Sequence, residues 1–151
     1  MKNDIWFMNL ALAQAEHAYK LDEVPVGAII VDSAGKVIAS KHNEKEKNHN
    51  PLGHCECLAI QEACKHIKNW RLSDCTLYVT LEPCIMCMGA LSQSRIKKVV
   101  FGAYDKKGGA LSLGYTINKE KKINHRFSIV GGVEHYKCSQ ILSRFFKEKR
   151  F

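Results

Sequence analysis

The sequence lacks any long apolar run. Its first residues do not form the apolar stretch of a secretion signal peptide, and no segment reaches the roughly 18 apolar residues that a membrane-spanning helix needs. Proline is limited to three residues, and the sequence contains no internal repeat, low-complexity tract or linker. We therefore expect a single cytoplasmic domain over residues 1–151, with no membrane partner.

The cysteines lack the features of a disulfide framework. There are seven, an odd number, and no secretion signal accompanies them, which is typical of a protein in a reducing cytosol. Each cysteine is therefore expected to be either a small core residue or a metal ligand, and spacing decides which. They are Cys55, Cys57, Cys64, Cys75, Cys84, Cys87 and Cys138.

Acidic residues are in the minority. Lysine and arginine number 23 against 15 aspartates and glutamates, which gives a formal net charge of +8. A small domain this basic attracts polyanions, and nucleic acid is the commonest such partner. Many enzymes share a basic charge, so it does not decide the function alone.

The pattern of apolar residues and turn signals predicts the order αββαβαβ, followed by a long loop, a strand and a helix. Asp4 is expected to cap the first helix, and Pro83 to lie in the first turn of the third. Residues 105–124, rich in glycine and lysine, give no recognisable element. Helices that alternate with strands predict a sheet between two helix layers. The predicted strands cover residues 26–31, 36–40, 76–80, 97–101 and 126–130, and the predicted second helix covers residues 54–67.

Two short segments carry the chemistry, and each opens a predicted helix. Cys84 and Cys87 are three residues apart and so share one helix face, at a helix N-terminus that favours the thiolates zinc requires. Together with His54 they provide three ligands, and three ligands with an open position are typical of catalytic zinc. Glu56, two residues from His54, is expected to move protons between water and substrate.

Each part of this pattern has an alternative interpretation. A Cys-x-x-Cys pair in a cytosolic chain is often half of a structural zinc site or a redox pair, and a single histidine is more often a surface or core residue than a ligand. A structural site of four cysteines is disfavoured because no second Cys-x-x-Cys is present. The combination therefore predicts one catalytic Zn²⁺ per subunit.

His54-x-Glu56 followed by Pro83-Cys84-x-x-Cys87 resembles the signature of the cytidine deaminase-like zinc deaminases. Nearly the whole chain is similar to the bacterial tRNA-specific adenosine deaminases. The segments that carry this second resemblance are Glu23-Val24-Pro25-Val26-Gly27-Ala28, His42-Asn43, Thr80-Leu81-Glu82-Pro83-Cys84, Ser94-Arg95-Ile96, Val100-Phe101-Gly102-Ala103 and Asn124-His125-Arg126.

The resemblance implies an α/β fold of three layers, α/β/α, with a central mixed five-stranded sheet. It implies hydrolytic deamination of adenosine to inosine at the wobble position of a tRNA anticodon, with zinc-activated water and Glu56 as proton shuttle. The implied partners are the tRNA anticodon stem-loop and a second copy of the chain, without a nucleotide cofactor.

The resemblance also assigns substrate contacts. Asn43 matches a side chain that hydrogen-bonds the purine, although turn chemistry is its ordinary use in a loop. Cys55 matches a position whose backbone N–H faces the base, and Asp105 one near the neighbours of the flipped nucleotide, although by itself it would be a solvated carboxylate. The last helix mixes aromatic and basic residues, a combination suited to stacking and phosphate attraction. Its candidate RNA-backbone contacts are Lys147, Lys149 and Arg150.

Four positions depart from the family pattern. Cys55 stands where alanine is usual, either as an inert core group or as an oxidation-prone thiol. Leu52-Gly53 replaces the commoner Thr-Ala before the histidine, and Tyr104 stands where a basic residue is common. None of these departures changes the identity of a proposed ligand or of Glu56.

Two other functions stay open. The first is a deaminase of the same fold that acts on a free base or nucleotide, namely guanine, cytosine or deoxycytidylate; the basic last helix weighs against it. The second is a non-catalytic, zinc-stabilised RNA-binding protein, which would have no need of Glu56.

Overall fold

The computed structural model describes residues 2–149. Its helices and strands follow the order predicted from the sequence, and a single 3₁₀ turn lies within the long loop. The elements are α1 (Asp4–Lys20), β1 (Gly27–Val31), β2 (Val37–His42), α2 (Cys55–Ile67), β3 (Thr76–Leu81), α3 (Ile85–Gln93), β4 (Lys98–Ala103), the 3₁₀ turn (Ile117–Lys119), β5 (Ser128–Val130) and α4 (His135–Glu148).

The five strands form one mixed sheet in the order β2-β1-β3-β4-β5. β1 pairs antiparallel with β2 and β3, whereas β3, β4 and β5 run parallel. Every residue of β1 is buried, as expected for a strand covered on both faces. The predicted mixed five-stranded sheet is confirmed.

Alternate residues of β1 face different helix layers. Ala28 and Ile30 belong to the core under α2 and α3, while Ile29 and Val31 belong to the core under α1 and α4. α1 approaches β1 so closely that a Cβ on Gly27 would lie 2.1 Å from the Ala11 carbonyl oxygen. Helices therefore cover both faces, which confirms the three-layer α/β/α fold. Among the described helices, none combines the length and apolar character needed to cross a membrane.

The strand directions bring several chain ends to one edge of the sheet. In the register, His42 at the end of β2 pairs with Gly27 at the start of β1, and Leu81 at the end of β3 pairs with Ala103 at the end of β4. The segments that follow β2, β3 and β4 therefore emerge side by side. In open α/β sheets such an edge is the usual place for a binding site.

The first helix is capped one residue earlier than predicted. The Asn3 side chain accepts the Trp6 N–H at 3.0 Å, so Asn3 and not Asp4 is the N-cap. Asp4 begins the helix and accepts a hydrogen bond from the Tyr78 hydroxyl at 2.8 Å instead. The Asp4 carboxylate is thus used in tertiary packing between α1 and β3.

Two other predicted boundaries also differ. Pro83 lies outside α3, because its carbonyl accepts the Ala110 N–H at 2.9 Å from another loop and Cys84 becomes the N-cap. β5 starts at Ser128 and not at residue 126, because the Phe127 N–H donates to the Asn118 carbonyl at 2.9 Å. In both cases a bond to a distant segment replaces the local one, which sequence patterns do not reveal.

Candidate metal centre and substrate pocket

The three predicted ligands meet where two helices begin. His54 and Cys84 are the N-cap residues of α2 and α3, and within the described chain neither side chain forms a capping hydrogen bond. Cys87 lies in the first turn of α3 and is fully buried. One ligand atom from each of the three residues lies within 4.8 Å of the other two. The two helix starts thus hold the side chains in a compact cluster.

The geometry of the cluster suits zinc. His54 Nδ1 lies 3.5 Å from Cys84 Sγ and 3.5 Å from Cys87 Sγ. Tetrahedral zinc, with bonds of about 2.3 Å to sulfur and about 2.0 Å to nitrogen, places the two kinds of donor about 3.5 Å apart. One imidazole and two thiolates leave a fourth position for water or substrate. The donor set therefore fits a catalytic zinc ion.

The two thiols of the cluster have pKa values displaced in opposite directions. Hydrogen bonds from Cys87 and from His54 lower the pKa of Cys84 to about 4. Hydrogen bonding with Cys57 and Cys84, together with burial, raises the pKa of Cys87. Metal ligation requires deprotonated thiols, so binding of a divalent cation would release the proton that Cys87 holds.

A third thiol lies beside the cluster, and the sequence motifs assigned it no role. The Sγ atom of Cys57 is 3.9 Å from that of Cys87. Cys57 is three residues after His54, so the two side chains lie near one face at the start of α2. That spacing was the available signal.

Glu56 points into the same region from the first turn of α2. Its side chain is only 4% exposed, and this burial raises the pKa of its carboxyl group. A carboxyl group with a raised pKa is suited to accept and return protons near neutral pH.

The thiol of Cys55 contacts this carboxylate, with its Sγ donating to Glu56 Oε1 at 3.3 Å. Cys55 is fully buried, and burial raises the pKa of its thiol well above the usual value. Oxidation favours exposed thiolates, so these surroundings disfavour it. Of the two sequence interpretations, the structure favours the core group, and it adds a contact with Glu56.

A cavity of about 230 Å³ opens over the cluster. His54, Glu56 and Cys84 line it from the metal side, and Asn43 and Asp105 line it from the loops that follow β2 and β4. The sheet edge therefore brings five of the predicted site residues together. The remaining lining residues are Val24, Val26, Lys45, Leu81, Glu82 and Gly108.

Asn43 is buried in the wall of this cavity. Its Oδ1 accepts the backbone N–H of Cys55 at 2.9 Å, so that N–H, which the resemblance directs toward the base, is bonded to Asn43 in this structure. No hydrogen bond occupies Asn43 Nδ2 within residues 2–149. The bond to Cys55 orients the amide, and Nδ2 is its available donor.

Asp105 is half-buried at the rim. Its Oδ1 accepts the backbone N–H groups of Lys107 and Gly108, both at 3.1 Å, and its own N–H donates to Glu82 Oε1 at 3.0 Å. The carboxylate is thus oriented by its own loop, which is more order than a freely solvated side chain has.

Two buried carboxylates near the cavity were quoted in the sequence motifs without any role. Glu23 is 2% exposed and accepts the N–H groups of Glu46 and Lys47, at 3.1 and 2.8 Å, which fastens the loop after Asn43. Glu82 is 3% exposed and lies between β3 and Cys84. Their signal in the sequence was an acidic residue next to an apolar residue and within two positions of a proline.

A wider groove of about 710 Å³ leads from the cavity toward α4. It shares Val24, Leu81 and Asp105 with the cavity and continues between two exposed aromatic side chains, Tyr104 and Phe146. Its other lining residues are Lys107, Leu142 and Lys149.

The predicted RNA contacts lie around this groove. Lys149 lines it and forms an ion pair with Asp22. Lys147 is exposed on α4 and borders an adjoining cavity of about 440 Å³ with Phe146. The prediction for Arg150 lies outside the described residues.

The sequence profile of the MafB19-like deaminases matches residues 1–150. The chain belongs to that family. It is 45% identical to the tRNA-specific adenosine deaminase of Bacillus subtilis (strain 168), over 99% of this chain and 92% of that protein.

Two solved structures, of deaminases that act on different substrates, are similar to this chain. One, from a study of A-to-I editing by tRNA:A34 deaminases at the wobble position of transfer RNA, has 38% identity and a TM-score of 0.85 over 90% of this chain and 98% of that one. A guanine deaminase from Bacillus subtilis has 31% identity and a TM-score of 0.66 over 99% and 96%. The predicted membership of the bacterial tRNA-specific adenosine deaminases and the cytidine deaminase-like fold are confirmed.

Proposed function

We propose that this deaminase, acting as one cytoplasmic domain over residues 1–151, hydrolyses the wobble adenosine of a tRNA anticodon to inosine. The observation that carries the proposal is the cluster of His54, Cys84 and Cys87, two of whose members line one cavity together with Glu56. The identity of 45% to a tRNA-specific adenosine deaminase over nearly the whole chain supports the same substrate.

His54, Cys84 and Cys87 would hold one zinc ion through Nδ1 and the two sulfur atoms. A zinc ion bound in this way lowers the pKa of a water ligand to about 7, which supplies the nucleophile. The Glu56 carboxylate accepts a proton from the water and delivers it to the purine ring nitrogen. As the water oxygen bonds to the ring carbon that carries the amino group, Glu56 takes the second proton from that oxygen. It gives this proton to the amino group, the carbon–nitrogen bond breaks, and ammonia leaves.

The cavity accepts a base only after the nucleotide has left its stack. Asn43 Nδ2 is placed to donate to an acceptor atom of the purine, and Asp105 lies at the rim, where the neighbouring nucleotides pass. An anticodon loop suits such a site because its bases are already partly unstacked, which lowers the cost of flipping.

The groove toward α4 supports contact with the rest of the loop. Tyr104 and Phe146 offer exposed rings for stacking, and Lys149 lines the same groove. Stacking combined with positive charge is the usual way to bind single-stranded RNA. We include Lys147 and Arg150 in this RNA-backbone contact.

The proposed homodimer is supported by an apolar groove of about 580 Å³ between α2 and α3. Leu52 and Trp70 line it and are 59% and 53% exposed, which is typical of a surface covered by a partner. A second copy of this chain is the proposed occupant.

Sedimentation of the purified protein should give a dimer, and Trp70→Glu should give a monomer. A monomeric wild-type chain would contradict the proposal.

The substrate is tested with purified protein and an anticodon stem-loop that carries adenosine at the wobble position. Reverse transcription should read guanosine at that position, and a stem-loop with a purine lacking the amino group there should be unaltered. Turnover of free guanine or of a cytosine nucleotide, with no conversion in the stem-loop, would contradict the tRNA assignment and support the free-base alternative.

A further inference from the structure

Glu82 is a buried carboxylate with all its contacts directed at one loop. Oε1 accepts the N–H of Asp105 at 3.0 Å and the hydroxyl of Ser112 at 2.5 Å, and Oε2 accepts the N–H of Ser112 at 2.7 Å. A buried carboxyl group is costly unless its oxygens are hydrogen-bonded, and these three donors meet that requirement. One side chain thus fastens both ends of the segment 105–112.

The loop is wrapped tightly around this carboxylate. A Cβ on Gly109 would lie 2.2 Å from Glu82 Cδ, so any larger residue at that position would displace the carboxylate. Next to it, the Ala110 N–H donates to the Pro83 carbonyl at 2.9 Å. The loop is therefore bonded to two consecutive residues, Glu82 and Pro83, that directly precede the proposed ligand Cys84.

These bonds connect two parts of the cavity whose separation must stay constant. Cys84 lines the cavity on the metal side and Asp105 lines it at the rim. Ser112 is exposed and lies beyond the cavity, so Glu82 reaches across the loop and not merely to its neighbour. A displacement of the loop would move Asp105 while leaving His54, Cys87 and Glu56, which α2 and α3 position, in place.

We propose that Glu82 is a positioning residue for substrate: it holds the loop 105–112, and with it Asp105, at a set distance from the metal-binding turn. It does not touch the reacting atoms; it sets the width of the opening through which the RNA nucleotides flanking the target pass. The inference rests on the proposed function, because it concerns how that RNA is bound.

Glu82→Gln is the test, because glutamine keeps the size of the side chain and replaces one acceptor by a donor. That donor then opposes the N–H of Ser112 or of Asp105, and the loop shifts. We expect the KM for the anticodon stem-loop to rise about tenfold, since small displacements of substrate-positioning groups have effects of this order or more. The kcat should stay within about twofold and the zinc content unchanged, because the ligands and Glu56 are not moved.

The matched control is Glu62→Gln on α2. Glu62 also accepts a backbone N–H, that of Ser40 at 2.8 Å, but it lies on an exposed surface outside the cavity. Its KM and kcat should equal those of the wild-type protein. Ser112→Ala, an exposed change that folding tolerates, removes one of the three donors and should raise the KM by a few-fold.

The double variant Glu82→Gln with Asp105→Ala separates positioning from general stabilisation. If Glu82 acts through Asp105, the double variant has a KM no higher than that of the more impaired single variant. A purely structural role lowers the folded fraction, which reduces the apparent kcat and leaves the KM unchanged; that result overturns the inference. The inference is also overturned if the KM of Glu82→Gln is unchanged while the wild-type protein is active. A wild-type protein that is inactive on the stem-loop overturns the proposed function, and the inference with it.

Discussion

The metal-binding end of the cavity and the groove that leads away from it are held in very different ways. Cys87 is fully buried and Glu56 is 4% exposed, both packed where helices begin on the sheet. Tyr104 and Phe146 in the groove are 53% and 46% exposed. The proposed chemistry therefore depends on residues that the core holds rigidly, whereas the proposed RNA contact depends on surface side chains that can change without disturbing that core.

The largest expected effect comes from removing a ligand. Cys87→Ala should abolish both tight zinc binding and deamination, because two remaining ligands do not hold a catalytic zinc ion. Zinc content by atomic emission and inosine formation check this. Cys75→Ala, which removes a buried thiol outside the cluster, should retain both. A Cys87→Ala protein with one zinc per chain would show that the cluster is not the metal site.

Loss of the proton shuttle should come next. Glu56→Ala should lower kcat by about 10²–10⁴-fold, the usual contribution of a positioned general acid–base, while zinc and RNA stay bound. Single-turnover rates with metal analysis and an RNA-binding assay measure the three quantities. The same substitution at Glu62, on the exposed side of α2, should leave the rate unchanged. An active Glu56→Ala variant would refute the proposed role.

Asn43→Ala should have an intermediate effect. It removes the donor at Nδ2 and leaves the buried N–H of Cys55 without its partner, which together cost about 1–3 kcal/mol, or roughly 5- to 150-fold. The quantity to measure is kcat/KM for the stem-loop. Asn48→Ala, an exposed change in the same loop, is the control. A value for Asn43→Ala within twofold of the wild-type value contradicts the assignment of Asn43.

The smallest effect is expected for the lysines of α4 beside the groove. Lys147→Ala combined with Lys149→Ala should weaken RNA binding by a few-fold and reduce the salt dependence of log Kd by about 0.7 per lost phosphate contact. Titrations at several salt concentrations measure this slope, and kcat should not change. Lys36→Ala, in the hairpin at the opposite edge of the sheet, should leave the slope unaltered. An unchanged slope in the double variant removes both lysines from the interface.

The metal cluster was predictable because its information is local. The residue types and spacing of His54, Cys84 and Cys87, each at the start of a predicted helix, identify the chemistry without knowledge of the fold. The order of helices and strands along the chain followed in the same way from the apolar patterns, and the mixed five-stranded sheet followed from the family resemblance.

The parts that could not be predicted depend on partners distant in the chain. Glu82 acquires its environment from Asp105 and Ser112, which are 23 and 30 positions away, and no local pattern pairs them. Pro83 was expected inside α3 because its bond to Ala110 was not foreseeable. Sequence reasoning therefore located the candidate ligands but not the buried carboxylates that fasten the loops around them.

The position of two ligands at helix N-caps has a consequence for folding. The side chains of His54 and Cys84 belong to the candidate metal cluster, and within residues 2–149 neither caps its helix, so α2 and α3 each forgo a stabilisation of about 1 kcal/mol. A cation that binds only the folded chain stabilises it by mass action, in proportion to the logarithm of its free concentration. The melting temperature should therefore report free zinc, and a chelator should open the starts of α2 and α3 before it unfolds the sheet.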